Sequence, residues 1–476
     1  MFRFSVKLEE LGLVLVLLHF VLLQLSHRFT YGLSIDTKPV FWLVALLIVS
    51  GLVYVGACLK VTRCSADSCS QNRTLLLILA VGLILRVNML FSTPMLEDDY
   101  YRYLWDGAVV SHGINPYIYS PKHIMNQQNN PLASLAFESG HVIERVNHPD
   151  LRTIYPPVAQ AAFSLAYWLQ PWSLIAWRIV LLLCDLISLG LLMFILKKLH
   201  LPLALILVFW WNPLYVKEVF NSGHMEGVLV PFLFGFILFV SYNRHFSALI
   251  CLVLAAAVKL WPVVLLPVLL RPFLSDVKRL LVFIALFCLL MAGMFWPVYM
   301  AGFGTKSGFI AYGQFWQMND SLFTLIFWAS RFVFNLFDMD IHVRSQLVAK
   351  GVVLFILAVL TVFVSQRNYP GGEEFSKRCL IITAGLFLLS PTQFPWYSVW
   401  FLPFLAVAPA RMMSLLMLTP LLSVYYLRFW FKGHNQADFF DNYLVWLEFI
   451  PVWLLLIREM YQKKAHKESE EVSLTA

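Results

Sequence analysis

Glu97 to Tyr119 reads EDDYYRYLWDGAVVSHGINPYIY and follows directly on an apolar run that ends near Phe91. An ionised carboxylate deep in a bilayer costs roughly 3 kcal/mol on insertion scales. Hydrocarbon must therefore end close to Met95, and Glu97, Asp98 and Asp99 sit at an interface. Side by side, the three acids repel one another, which raises the pKa of at least one unless a cation or an arginine neutralises them. The cluster reads either as a base and metal site or as a solvated group of charges marking a helix end. Working outward from it, the rest of the chain reads as a membrane scaffold that presents this segment at the lipid surface.

Of the 476 residues, 60% are hydrophobic and 13% charged, with a mean hydropathy of +0.73. A water-soluble globule has about 45–50% apolar residues, so the composition implies an all-α polytopic membrane protein. The net charge of +8 comes from Lys and Arg in short loops between apolar runs. That pattern sets orientation in a bilayer and argues against a nucleic-acid partner, which needs basic residues on one face or tail. Most of the 7 cysteines lie inside apolar runs, and only Cys64 and Cys69 share a loop. No disulfide or zinc framework is expected.

A span needs about 20 apolar residues, and the first candidates are Leu11–Leu25, Val40–Leu59 and Thr74–Phe91. The first has no small-residue cleavage site after it and reads as a retained span. Arg3 and Lys7 precede it, and Lys60, Arg63 and Arg73 surround the loop after the second, so both regions are expected in the cytoplasm and the acidic stretch outside. From Leu96 to about Trp168 runs the longest polar region, too long for a connector and expected to hold short helices of its own. Pro156 and Pro157 mark a helix start, and Val158–Leu169 is too short to span and is expected to lie in the interface.

Further on, Leu174–Leu196 crosses inward and WWNPLYVKEVFNSGHMEG returns to the outer side. Phe246–Leu270 is interrupted by Lys259, Pro262 and Pro267 and is expected to form a V of two half-helices, with Lys259 facing a cavity. About eleven to thirteen membrane helices result at this span length. The organisation expected is residues 1–91 as N-terminal helices, 92–172 as an outer loop, 173–461 as the membrane bundle and 462–476 as a charged, disordered cytoplasmic tail.

Three polar clusters, Glu97–Asp106, Tyr215–Glu226 and Gln314–Gln393, reach the same side from distant parts of the chain. Carboxylates there could take a proton from a hydroxyl or ligate a hard cation. Arg102, Arg145, Arg152, Lys217 and Lys259 could hold a phosphate. Each also has a plainer reading. Arg102 sits at helical spacing from Asp98 and Asp106 and would form an ion pair; Lys217 and Glu218 could flank a helix end; Lys259 could snorkel. His112, His123, His141 and His148 are too scattered to be ligands, whereas Glu226, an acid opening an apolar run, needs a reason to be there.

The stretch Glu97-Asp98-Asp99-Tyr100, with Asp106-Gly107-Ala108, His112-Gly113-Ile114-Asn115-Pro116-Tyr117 and Tyr155-Pro156-Pro157, resembles the first outer loop of GT-C glycosyltransferases that use polyprenyl-phosphate sugars. It looks most like the mannosyltransferases, both the GPI mannosyltransferase I type and the bacterial polyprenol-phosphate-mannose enzymes. Glu226 in GHMEG matches their acidic residue on the second outer loop, and Ser390-Pro391-Thr392-Gln393-Phe394-Pro395-Trp396-Tyr397 resembles their C-terminal pattern. The likeness covers about residues 90 to 410, with the first two helices as an addition ahead of the common core.

The resemblance implies a GT-C-like bundle that transfers a hexose, mannose by preference, from a polyprenyl-phosphate donor to an acceptor hydroxyl of unknown identity. Transfer would be a single displacement with inversion. Asp99, or Asp98 or Glu97 beside it, would act as base, and Arg102, Tyr100, Tyr155, Lys217, His224, Lys259, Gln393, Trp396 and Tyr397 would bind substrate. A divalent cation, magnesium or manganese, would sit on Glu97, Asp99 and Glu226. The expected location is the plasma (bacterial inner) membrane rather than the endoplasmic reticulum, with both termini in the cytoplasm and the site outside. The rival reading is a transporter or flippase of a lipid-linked or small polar substrate. Transporters, however, show paired repeats with corresponding helix breaks, and here one break stands alone.

Overall fold

The computed structural model describes residues 6–63, 72–127, 130–304, 306–336, 342–366, 368–409 and 413–475. Among them helices are the only regular elements, apart from one bridging contact between Met318 and Thr392. The protein is an all-α, multi-pass membrane protein. Among the described residues eight helices are long and apolar enough to cross a membrane, nine if the bent pair Leu203–Trp210 and Pro213–Asn221 is one span. A count of eleven to thirteen requires the shorter apolar helices, Glu226–Ser241, His245–Ala256, Trp261–Phe273 and Leu322–Leu336, to be included. The loop with Cys64 and Cys69 lies outside the described residues.

The helices Leu8–Ser26, Val40–Arg63 and Asn72–Leu90 sit where the apolar runs place them. Inside the bundle Arg86 forms an ion pair with Asp185, and the Tyr215 hydroxyl donates to the same carboxylate at 2.7 Å. The guanidinium also donates to the Trp210 carbonyl at 2.6 Å and lies 3.5 Å from the Trp210 ring centroid. A charge at this depth is tolerated because partners replace its water. The cluster ties the third span to Leu174–Lys198 and to the bent pair. Closeness there demands Gly82: a Cβ would lie 2.0 Å from Trp210.

The polar segment after the third span folds as predicted into short helices: Tyr100–Ser111, Pro121–Met125, Ala133–Glu138, His141–Glu144 and Pro157–Leu169. The first packs along the last so closely that a Cβ on Gly107 would stand 2.4 Å from the Phe163 carbonyl oxygen. The Gly113-to-Tyr117 turn is held by Gly113 at φ 72° and by the Asn115 side chain, which accepts from Tyr117 N at 3.0 Å and donates to the Pro297 carbonyl at 2.8 Å. The helix break expected at Lys259 is present: His245–Ala256 ends before it and a 3-10 turn starts at Trp261. At the break the freed Ala257 carbonyl accepts from Val158 N at 2.9 Å, so a neighbouring helix satisfies backbone that lipid would not.

One expectation is corrected. Residues after Lys463 do not form a disordered tail, because the backbone of the last helix, Trp446–Thr475, continues through them. The segment is rich in Lys, Glu and Ala, all good helix formers.

Candidate functional site

The acidic cluster begins where the third span ends, and its position is fixed by main-chain contacts. Arg178 donates to the carbonyls of Leu90 at 2.7 Å, Ser92 at 2.8 Å and Asn221 at 2.5 Å. Asn221 answers by accepting from Met95 N at 3.0 Å and donating to the Thr93 carbonyl at 2.7 Å. Leu96 then takes φ 75°, a left-handed conformation uncommon for a side chain of its size, and turns the chain into the acids.

Glu97, Asp98 and Asp99 line one wall of a cavity of ≈ 480 Å³, a size typical of small-molecule sites. Asn147 donates to Asp99 Oδ1 at 2.5 Å and to Asp98 Oδ1 at 3.1 Å. Burial, reinforced by the charge of Asp99, pushes the Asp98 carboxyl up to about 6. Glu97 goes up to about 8, by burial first; the charges of His224 and Lys217 oppose this, and those of Glu218 and Asp99 add to it. Burial, more than repulsion within the triplet, raises both carboxyls.

Lys259 lines the same cavity. It forms an ion pair with Glu226 and lies 3.7 Å from the Tyr397 ring centroid and 5.2 Å from that of Trp400. Glu226 is 2% exposed, and its second carboxylate oxygen is buried without a hydrogen-bond partner. Aromatic rings complete the walls: Tyr103, Tyr155, Trp261, Trp316, Trp396 and Tyr425. The Tyr312 hydroxyl is 2.7 Å from that of Tyr397 and 3.0 Å from that of Thr392, which joins the helix Gly308–Phe315 to the late segment. All three polar clusters contribute: the acids, Glu226, and the pair of segments around Trp316 and Trp396.

Several residues named from the sequence are placed differently. Tyr100 is buried against Tyr101, and Tyr103 faces the cavity in its stead. Arg102 reaches the cavity, but its guanidinium donates to the carbonyls of His148 at 3.2 Å and Leu151 at 3.0 Å rather than pairing with a helical neighbour. Asp106 is held by Gln160 at 3.1 Å instead. Lys217 is buried behind the wall, 3.2 Å from Glu218 and 3.0 Å from Ser222, with its ammonium 3.9 Å from the Tyr426 ring centroid. Gln393 is a bracket that accepts from Ser321 at 3.2 Å and donates to the Leu388 and Ser390 carbonyls at 2.9 and 3.1 Å. Arg145 stacks on Tyr31 at 4.4 Å and donates to the Tyr101 hydroxyl, away from the cavity. Arg152 lines it while clamping the carbonyls of Tyr117 and Ala301 at 3.1 and 2.8 Å.

His224 also lies just behind the wall. Its Nε2 is 3.2 Å from Glu218 Oε2, and its ring stacks on Trp396 at 3.9 Å. Burial alone would lower its pKa, but the hydrogen bond and charge of Glu218, followed by the charges of Asp99 and Glu226, raise it above the ordinary value. Asn147 and Trp316 are among the lining residues that sequence reading missed, as are Tyr103, Trp261 and Tyr425. Asn147 is a lone amide and Trp316 one of several aromatic residues in its stretch, and only folding of the two loops brings them to the acids.

The proposed metal ligands do not assemble. Among the described residues no group of three or more His, Cys, Asp or Glu is placed to hold a metal ion, and Glu226 is engaged by Lys259. Lys259 brings an ammonium to the cavity, and the guanidinium groups of Arg102 and Arg152, both held by carbonyls, line it as well.

A family model described as "Alpha-(1->6)-mannopyranosyltransferase, N-terminal domain" matches residues 22–273, just over half of the chain. The match begins within the first helix, so the second helix is part of the family's own region rather than an addition. No curated protein and no solved structure matches.

Proposed function

The chain belongs to the alpha-(1->6)-mannopyranosyltransferase family and is a membrane glycosyltransferase; from that premise we propose that it moves mannose from a polyprenyl-phosphate donor to an acceptor hydroxyl, with inversion, on the non-cytoplasmic side. One observation carries the reading. A carboxylate, Asp99, and an ammonium, Lys259, line the same aromatic-walled cavity, and Asp99 is near enough to act electrostatically on Lys259.

Transfer needs two things at once: a proton taken from the acceptor and charge compensation at the departing phosphate. Asp99 takes the hydroxyl proton as the acceptor oxygen bonds to the anomeric carbon. The bond from that carbon to the phosphate oxygen breaks, and the phosphate leaves toward Lys259. The aromatic walls pack against sugar faces and exclude water, which keeps hydrolysis from competing. A single displacement inverts the anomeric centre, so an α product calls for a β-linked donor, and a (1→6) linkage calls for a primary hydroxyl on the acceptor. The outer-side assignment is supported by Lys and Arg flanking the first and second spans. Glu97, Asp99 and Glu226 do not fit a divalent cation as a set, and the mechanism uses none.

The test is to incubate purified protein with a panel of polyprenyl-phosphate hexoses and to follow release of polyprenyl phosphate. Release with the mannose donor, lost in Asp99→Asn while expression is intact, is the expected result. A general base contributes about 10²–10⁴-fold, and full activity in that variant would remove Asp99 from the role.

A further inference from the structure

Behind the acidic wall lie ionisable groups that this mechanism leaves idle. Lys217, Glu218 and His224 are each fully buried. Burying charge costs several kcal/mol per ion unless partners compensate. Lys217 and Glu218 compensate each other at 3.2 Å, but His224 is only half accounted for. Its Nε2 faces Glu218 Oε2 at 3.2 Å and its Nδ1 lies 4.0 Å from Asp99 Oδ2, yet neither buried ring nitrogen has a hydrogen bond of good geometry.

The ring has little freedom to turn. Its face stacks on Trp396 with 17° between planes, and Trp396 in turn stacks on Phe394 at 4.5 Å. The main-chain N–H of His224 donates to the main-chain carbonyl of Glu218 at 3.0 Å, and the neighbouring Gly223 carbonyl accepts from Trp177 at 2.6 Å. Lys217–Asn221, which carries Glu218, is a π-helical turn, a distortion often found at functional sites.

We propose that His224 is a positioning residue for Asp99. Asn147 holds Oδ1 of that carboxylate from the loop side, and His224, set by Glu218 and by its stack on Trp396, faces Oδ2 from the bundle side. Together they fix the orientation in which Asp99 meets the acceptor hydroxyl. The charged groups around the imidazole are Asp99, Glu218, Glu226 and Glu97, with Lys217 beyond Glu218. At 4.0 Å the link to Oδ2 is longer than a hydrogen bond, and such contacts commonly tighten when substrate is bound. The inference rests on Asp99 being the base.

The experiment uses the full chain in detergent or liposomes, with polyprenyl-phosphate mannose as donor and an alkyl mannoside with a free 6-hydroxyl as acceptor. His224→Phe keeps the stack but removes both nitrogens, and His224→Asn returns an amide near the Nδ1 position. For His224→Phe, kcat is expected to fall about 10²-fold with donor KM within about threefold, and His224→Asn to regain about tenfold of that loss. In an Asp99→Asn background, His224→Phe is expected to cost nothing further, because residues that act as a unit are non-additive.

An equal loss in both backgrounds, or a raised KM with kcat unchanged, would overturn the proposal. If the Asp99→Asn background is below detection, the kcat-against-KM split and the Asn rescue decide. If His224→Phe fails to accumulate, Glu218→Gln is expected to lower kcat in the same way, and an unchanged kcat there overturns it. Full activity in Asp99→Asn alone would instead overturn the base assignment and leave the mutual geometry of the two residues as found.

Discussion

Lys259 and Glu226 allow catalysis to be separated from stability. Lys259→Met keeps the length of the side chain but leaves the Glu226 carboxylate, 2% exposed and with one oxygen already unpartnered, without its counter-ion. Removing one partner of a buried pair costs about 3–5 kcal/mol, whereas replacing both by uncharged groups is often neutral. Lys259→Met should therefore lower the apparent Tm in detergent sharply, and Lys259→Met/Glu226→Gln should restore most of it.

Activity should behave differently. If the ammonium stabilises the departing phosphate, its loss costs about 10²–10³-fold in kcat, or about 3–4 kcal/mol, and the double variant does not recover it. Thermal melts followed by intrinsic fluorescence, run beside release of polyprenyl phosphate, measure both quantities on the same preparation. A double variant that regains wild-type turnover would refute the reasoning, because Lys259 would then be a counter-ion for Glu226 and nothing more.

Asn147→Leu removes the donor to Asp98 and Asp99 and is expected to reduce kcat about 10–100-fold with little change in expression, measured by the same assay. Because Glu97 holds its proton up to about pH 8 when folded, against an ordinary value of 4.5, its contribution to stability is complete below pH 4.5 and is lost as pH rises to about 8. The full swing is on the order of 4–5 kcal/mol. Glu97→Gln should flatten the fall in Tm between pH 5 and 8.5, and equal slopes in the two proteins would count against it. Gly107→Ala should destabilise by about 1–3 kcal/mol, since its Cβ meets the Phe163 carbonyl at 2.4 Å; circular-dichroism melts would show it.

The spans were legible because apolar runs of sufficient length have few alternatives in lipid, and Pro157 opened its helix where a ring without an N–H fits. The three polar clusters were expected to meet because the alternation of apolar runs puts them on one side, and they do line one cavity. Which residue of a helix looks into the cavity was not. Tyr100 and Tyr103 differ only in the face they occupy, and that face is chosen by docking on Pro157–Leu169, a contact that no local pattern encodes. Lys217 and Gln393 were sound as polar residues with a purpose, but folding satisfied each with close partners. Asn147 gave no signal, being a lone amide in a loop whose place depends on Arg102 gripping the carbonyls that follow it.

Arg178 binds the carbonyls that close the third span and the one that closes the bent pair. A single planar fork therefore sets the level of both helix ends, and with it the level of Asp99. When bilayer thickness varies, a protein held in this way makes the lipid adjust by stretching or thinning around it, while the plane in which the sugar changes hands stays put. Lysine at this position has no such fork and would let the two ends drift apart in depth.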